Sequence, residues 1–225
     1  MEQSLPPPQR LGIFGGTFDP LHNGHMAVAQ AATTHLLLDR ILFLPTACSP
    51  LKLHGVVTPA RDRLRMLDAA LSPYPCYQVG RYDIDRTPPS FTVDTLRYFR
   101  RQVAPASKLF FLIGADAFFD IGCWKKWRDL FRLASFAVFP RGGVGVKKIS
   151  AMLEDLLPEY RFDPAHNIWQ WRGKAGSAQD VVWTPMEEVP VSATMVREKI
   201  RNNENISSLV PSEVADYLLA NHLYR

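Results

Sequence analysis

Cysteine is scarce in this chain: three in 225 residues, Cys48, Cys76 and Cys123, in no Cys-x-x-Cys or Cys/His spacing. Such an odd, scattered set excludes a disulfide framework and a cysteine-built metal centre, and reads as reduced thiols in a cytoplasmic protein. Long hydrophobic runs are missing as well. No stretch nears the roughly 20 apolar residues of a membrane span, so no membrane partner is expected. Residues 1–10 hold three prolines and no apolar core, which excludes a secretory signal and suggests a disordered lead-in. A net charge of +4 and a pI near 9.0 favour anionic ligands. No dense Lys/Arg tract with interleaved aromatics accompanies that excess, so nucleic acid is not an expected partner. Three enzyme signatures are absent: the P-loop Gly-x-x-x-x-Gly-Lys-Ser/Thr, a Gly-x-Gly-x-x-Gly after the first strand, and a serine nucleophile elbow. Internal repeats are lacking too.

What is present is an ordinary globular composition, 47% apolar and 21% charged, over a length that suits one large α/β domain, here residues 11–225. Strand and helix patterns alternate. Strands are expected at 11–15, 40–44, 76–79, 108–113, 136–139 and 181–183, with a short edge strand at 168–171. Helices are expected at 24–38, 91–103, 146–157, 193–203 and 211–221, with two short ones around Trp124. Thr58 followed by Pro59 reads as an N-cap with proline at the first helical position, opening a helix to about Leu71. The run 108–113 (KLFFLI) is continuously apolar, as in a sheet covered on both faces. This order predicts a doubly wound, Rossmann-like, mostly parallel α/β sheet with helices on both faces and a C-terminal helical segment. Ligands bind such sheets at the carboxyl ends of the strands.

The richest segment lies there: Gly12-Ile13-Phe14-Gly15-Gly16-Thr17-Phe18-Asp19-Pro20-Leu21-His22-Asn23-Gly24-His25. Gly15 and Gly16 let the backbone approach a phosphate and adopt positive φ where needed. The helix that follows offers N–H groups and a positive end to an anion. His22 and His25, three residues apart at that helix start, face the same way, so one anion can meet both. A glycine pair alone is an ordinary tight turn and a lone histidine an ordinary packing residue; the combination points to phosphate chemistry. Metal binding by the two histidines lacks a nearby third ligand other than Asp19, so no protein-held metal is expected.

A second cluster is Val191-Ser192-Ala193-Thr194-Met195-Val196-Arg197. Ser192 reads as the N-cap of a helix whose apolar side carries Met195, Val196 and Ile200, and whose opposite side carries Thr194, Arg197 and Arg201. Ser192, Thr194 and Arg197 would gather a hydroxyl, helix amides and a guanidinium around one anion. Standing alone, this would be a capped surface helix. Together the clusters describe a polyphosphate held between two helix starts.

GGTFDPLHNGH and VSATMVR, in this order and roughly 170 residues apart, resemble the HxGH and ISxTxxR signatures of the nucleotidyltransferase superfamily. The closer resemblance is to the bacterial nicotinate-mononucleotide adenylyltransferases. Residues 88–96 resemble that family's PSYTxxTL, and Ile113-Gly114-Ala115-Asp116 its IGxD, followed by Trp124. Phe139-Pro140-Arg141-Gly142 resembles its R-x-G segment, and 218–225 its ending. The chain departs from the family at Ser49-Pro50-Leu51-Lys52: the cation is kept as Lys52, and Leu51 replaces a histidine.

The resemblance implies transfer of AMP from ATP to nicotinate mononucleotide, forming nicotinate adenine dinucleotide and pyrophosphate in NAD biosynthesis. It implies catalytic roles for His25, His22, Lys52 and Arg197. ATP contacts would fall to Gly15, Gly16, Thr17, Phe18, Asp116, Ser192, Thr194 and Arg197, with Mg²⁺ bridging the triphosphate. Thr92, Trp124, Lys125 and Arg141 would bind nicotinate mononucleotide, Trp124 by stacking on its pyridine ring. The same fold acting on nicotinamide mononucleotide or phosphopantetheine is one alternative, and a non-catalytic nucleotide-binding module another. Oligomeric state is left open, a homo-oligomer included.

Overall fold

The computed structural model describes residues 8–46, 58–86, 89–174, 176 and 178–225. Its strands are β1 (Arg10–Gly16), β2 (Arg40–Pro45), β3 (Tyr77–Val79), β4 (Lys108–Gly114), β5 (Ser135–Phe139), β6 (Tyr160–Asp163), β7 (Ile168–Trp171) and β8 (Val181–Trp183). They form one sheet in the order β3-β2-β1-β4-β5-β8-β7-β6. The first six in that order run parallel, and β7 and β6 close the sheet as an antiparallel hairpin. The winding direction reverses between β1 and β4, which places the carboxyl ends of these two strands at the topological switch.

Alternate residues of each strand enter opposite cores. Phe110 and Leu112 of β4 pack with α1 (Asn23–Leu36), α2 (Ala60–Leu71), α7 (Ala193–Arg201) and α8 (Ser212–Ala220). Leu109, Phe111 and Ile113 pack with α3 (Thr92–Gln102), α4 (Ala115–Phe119), α5 (Trp127–Leu133) and α6 (Val146–Leu156). Both faces are covered, which is why KLFFLI carries no polar alternation; each such buried side chain contributes about 1.5–3 kcal/mol. The expected doubly wound, mostly parallel architecture is the observed one, with the α7–α8 pair at its C-terminal side. Among the described residues no helix is long and apolar enough to cross a membrane.

Four local expectations are corrected. The strand at 168–171 is not the edge: β6, whose alternation in YRFD spans only four residues, pairs outside it through Tyr160–Trp171 and Phe162–Trp169. Pro59 is the cap residue of α2 rather than its first helical residue (φ −48°, ψ 140°). Thr58 is tied to the turn before α1 instead, its N–H donating to Asp19 Oδ2 and its carbonyl accepting from Arg63 Nε. Within the presumed lead-in, residues 8–10 are tied down: the Gln9 and Arg10 amides donate to Asp39, and Pro8 accepts from Ser107 Oγ. Residues 1–7 lie outside the described part. On α7, Met195 is 37% exposed; Val196 and Ile200, one turn apart, form the buried stripe alone.

Candidate active site

The first cluster occupies the carboxyl end of β1 and the start of α1. Gly15 and Gly16 close the strand, and neither takes positive φ. The left-handed residue is Phe18 (φ +49°), contrary to the sequence expectation. Gly16 is required for space: a Cβ there would stand 2.9 Å from the Phe18 ring. That ring is 1% exposed and packs edge-on against Phe14 and His25, at 5.5 and 4.9 Å between centroids. Phe18 thus faces the core, and only its backbone borders the turn.

His22 and His25 stack at 3.7 Å with 25° between their planes, the common direction expected from their spacing. The His22 backbone N–H donates to His25 Nδ1 at 3.2 Å. A neutral His25 accepting there carries its proton on Nε2, which makes that nitrogen a donor. His22 is 4% exposed, and burial, aided by the positive charge of Arg141, lowers its pKa from 6.5 to about 4. It is therefore a neutral imidazole at pH 7. Gly24 permits this packing, since a Cβ there would stand 3.1 Å from both His22 Nδ1 and Val191 Cγ1.

The second cluster meets the first. Ser192 caps α7, its Oγ accepting from the Met195 amide at 3.1 Å. Arg197 spans the gap between clusters: Nη1 donates to the Asp19 carbonyl at 2.7 Å and Nη2 to Thr194 Oγ1 at 3.2 Å. Two anchored donors fix the plane of the guanidinium and leave further N–H groups on the same fork.

The strands beyond the switch supply the other residues. Asp116 opens α4 directly after β4, and Arg141 follows β5; Arg141 Nε lies 3.4 Å from Asp116 Oδ2. Gly142 (φ +66°) leaves room for the Asp116 side chain, and its amide donates to Glu188. Trp124 is half-buried, its ring edge-on to Phe111 at 6.2 Å. Phe111 in turn lies 3.6 Å from where a Gly15 Cβ would be, so Trp124 reaches the turn through one intervening ring. Lys125 lies over the Phe91 ring at 3.8 Å and pairs with Asp94 at 3.7 Å, which draws it to the start of α3 beside Thr92, the first residue of that helix. Lys52, with its Ser49-Pro50-Leu51 neighbours, lies outside the described residues.

Several supporting residues escaped sequence reading. Arg63, 2% exposed, donates to the carbonyls of Thr17, Thr46 and Thr58, holding the turn from below. The available signal was its position on the apolar stripe of α2 with Leu67 and Ala70. Thr95 of the PSYTxxTL-like segment is buried and donates to Asp83 Oδ1 at 2.7 Å; burial pushes that carboxyl's pKa up. Asp19, weighed above only as a metal ligand, is 5% exposed and accepts from Thr58 and Tyr224. Nothing local in the sequence marked that pairing.

The family model described as cytidylyltransferase-like matches residues 13–199, and the chain belongs to that family of nucleotidyltransferases. Among curated relatives it is 33% identical, over 96% of this chain and 100% of the other, to a probable nicotinate-nucleotide adenylyltransferase of Clostridium beijerinckii. It is 36% identical to one of Dechloromonas aromatica, over 96% and 97%. With these it forms part of the nicotinate-nucleotide adenylyltransferase family. The fold is shared with a Plasmodium falciparum nicotinic acid mononucleotide adenylyltransferase complexed with NaAD: TM-score 0.72, 16% identity, 96% of this chain and 97% of that one.

Proposed function

We propose that this chain transfers AMP from ATP to nicotinate mononucleotide, giving nicotinate adenine dinucleotide and pyrophosphate for NAD biosynthesis in the cytoplasm. The observation that carries the reading is the 2.7 Å bond from Arg197 to the Asp19 carbonyl, which joins the two phosphate-type clusters at the switch point.

The acceptor is a phosphate monoester with a second pKa near 6, already a nucleophilic dianion at neutral pH. One of its oxygens attacks the α-phosphorus, the bond to the bridging α–β oxygen breaks, and pyrophosphate leaves with that electron pair. No general base and no covalent intermediate are needed. The protein's work is to align the two phosphates and to meet charge as it develops. His25, with its proton on Nε2, donates to the α-phosphate. His22, Lys52, Ser192, Thr194, Arg197 and the amides around Gly15–Phe18 hold the triphosphate. Asp116 takes ribose hydroxyls, and Trp124, Thr92, Lys125 and Arg141 receive the nicotinate nucleotide.

Magnesium favours oxygen ligands and is commonly held by substrate phosphates. The described residues present no group of three or more His, Cys, Asp and Glu side chains suited to a metal, and the carboxylates near this edge, Asp19 and Asp116, are engaged by Thr58 and Tyr224 and by Arg141. That arrangement suits an ion arriving on the triphosphate, where it neutralises charge on the phosphate oxygens.

The test is pyrophosphate release from ATP and Mg²⁺ with nicotinate mononucleotide, run beside nicotinamide mononucleotide. A kcat/KM clearly higher for the acid is expected. No turnover with either nucleotide refutes the reaction, and equal values refute the acceptor assignment.

A further inference from the structure

Asp19 stands between the glycine turn and His22, and its two ends are used differently. Its carbonyl holds Arg197. Its carboxylate accepts the Thr58 amide at 3.3 Å and the Tyr224 hydroxyl at 2.5 Å, a contact between residues 205 apart. The phenol is partly buried, and that desolvation together with the Asp19 carboxylate raises its pKa far above the usual tyrosine value, so it remains a proton donor. It also shares a hydrogen bond with the Thr58 side chain. Tyr224 thus approaches from the segment after α8, on the side of the turn where Arg63 holds the Thr17 and Thr58 carbonyls.

We propose that Tyr224 is a positioning residue for AMP transfer: its hydroxyl fixes the Asp19 carboxylate, and thereby the carbonyl that orients Arg197 and the turn that delivers His22 and His25. The inference rests on the reaction proposed above. Tyr224 touches no reacting atom in this scheme. Its hydroxyl orients Asp19, so the effect of losing it reaches substrate through Arg197 and the two imidazoles. A displacement of a few tenths of an ångström in the Asp19 carbonyl is passed to both, because one is bonded to it and the others follow it by three and six residues.

The discriminating variant is Tyr224→Phe, which removes one oxygen and keeps the ring packed against the helical face formed with α1, α2 and α8. The expected result is a kcat lower by about tenfold with KM for ATP changed by less than about threefold, as for lost alignment rather than lost binding. In an Asp19→Ala background, which removes the accepting carboxylate and keeps the backbone carbonyl, the same change should lower kcat by less than about twofold, since the two side chains act through one bond. The substrate-free protein gives a readout independent of the reaction: the imidazole nitrogen resonances of His25 should move in Tyr224→Phe. Unchanged kcat with only a lowered melting temperature makes Tyr224 a structural tie and overturns the proposal, as do losses that multiply in the double variant or a His25 spectrum that stays in place. Wild-type turnover in the same assay tests the reaction separately.

Discussion

Acidification should act on His22 in a way that can be worked out from its surroundings. The ring is 4% exposed, stacked on His25 and beside the positive charge of Arg141, and its pKa falls from 6.5 to about 4. The unfolded chain therefore binds a proton near pH 6.5 that the folded chain refuses until about pH 4. Stability from this group is fully present above pH 6.5, and is lost as pH falls from there to about 4, below which the loss levels off. At 1.36 kcal/mol per pH unit the loss reaches about 3 kcal/mol, a large share of the roughly 5–15 kcal/mol that holds a typical fold. Urea unfolding of wild type and His22→Asn at pH 7.0, 5.5 and 4.5 isolates the contribution, since carboxylates titrate alike in both. The wild-type advantage should shrink by about 2 kcal/mol between pH 7.0 and 4.5, the remainder of the loss falling below that range. A proton NMR titration provides the direct check, with the His22 ring titrating near pH 4. A midpoint near 6.5, or parallel stability curves for the two proteins, would refute the reasoning.

Two further outcomes are expected. His25→Ala should reduce kcat by at least about a hundredfold with modest loss of ATP affinity, as for a donor used mainly in the transition state, and steady-state kinetics that stay near wild type would remove His25 from that role. Arg63→Met should cost about 3 kcal/mol or more, because three backbone carbonyls lose a charged donor together; urea unfolding with an unshifted midpoint would show that water replaces it freely.

The sheet was legible wherever burial on both faces imposed an apolar run, as in KLFFLI, or where a helix of contrasting period followed. Tyr160–Asp163 was not, because its alternation, with Tyr160 and Phe162 toward the core and Arg161 and Asp163 between them, spans only four residues. Ser192 was readable as a cap because capping is local chemistry. The first cluster was readable because its glycines, histidines and helix start are contiguous. Arg63, Asp83 and Tyr224 were hidden for the opposite reason: each is defined by a partner distant in sequence, and a buried polar pair leaves no periodic trace. Gly16 does not use the positive φ that a glycine allows; what it adds, unseen in the sequence, is room for the Phe18 ring.

The bond from Arg197 to Asp19 joins residues 178 apart, and closing it requires ordering nearly everything between them. Contacts of such separation carry a large loop-closure entropy that must be met before they are rewarded, and chains rich in them fold more slowly. A nascent chain that has reached only β8 already carries GGTFDPLHNGH but neither Arg197 nor Tyr224. On the reading proposed above, the two phosphate-type clusters are joined only once α7 and the segment beyond α8 have docked on the turn.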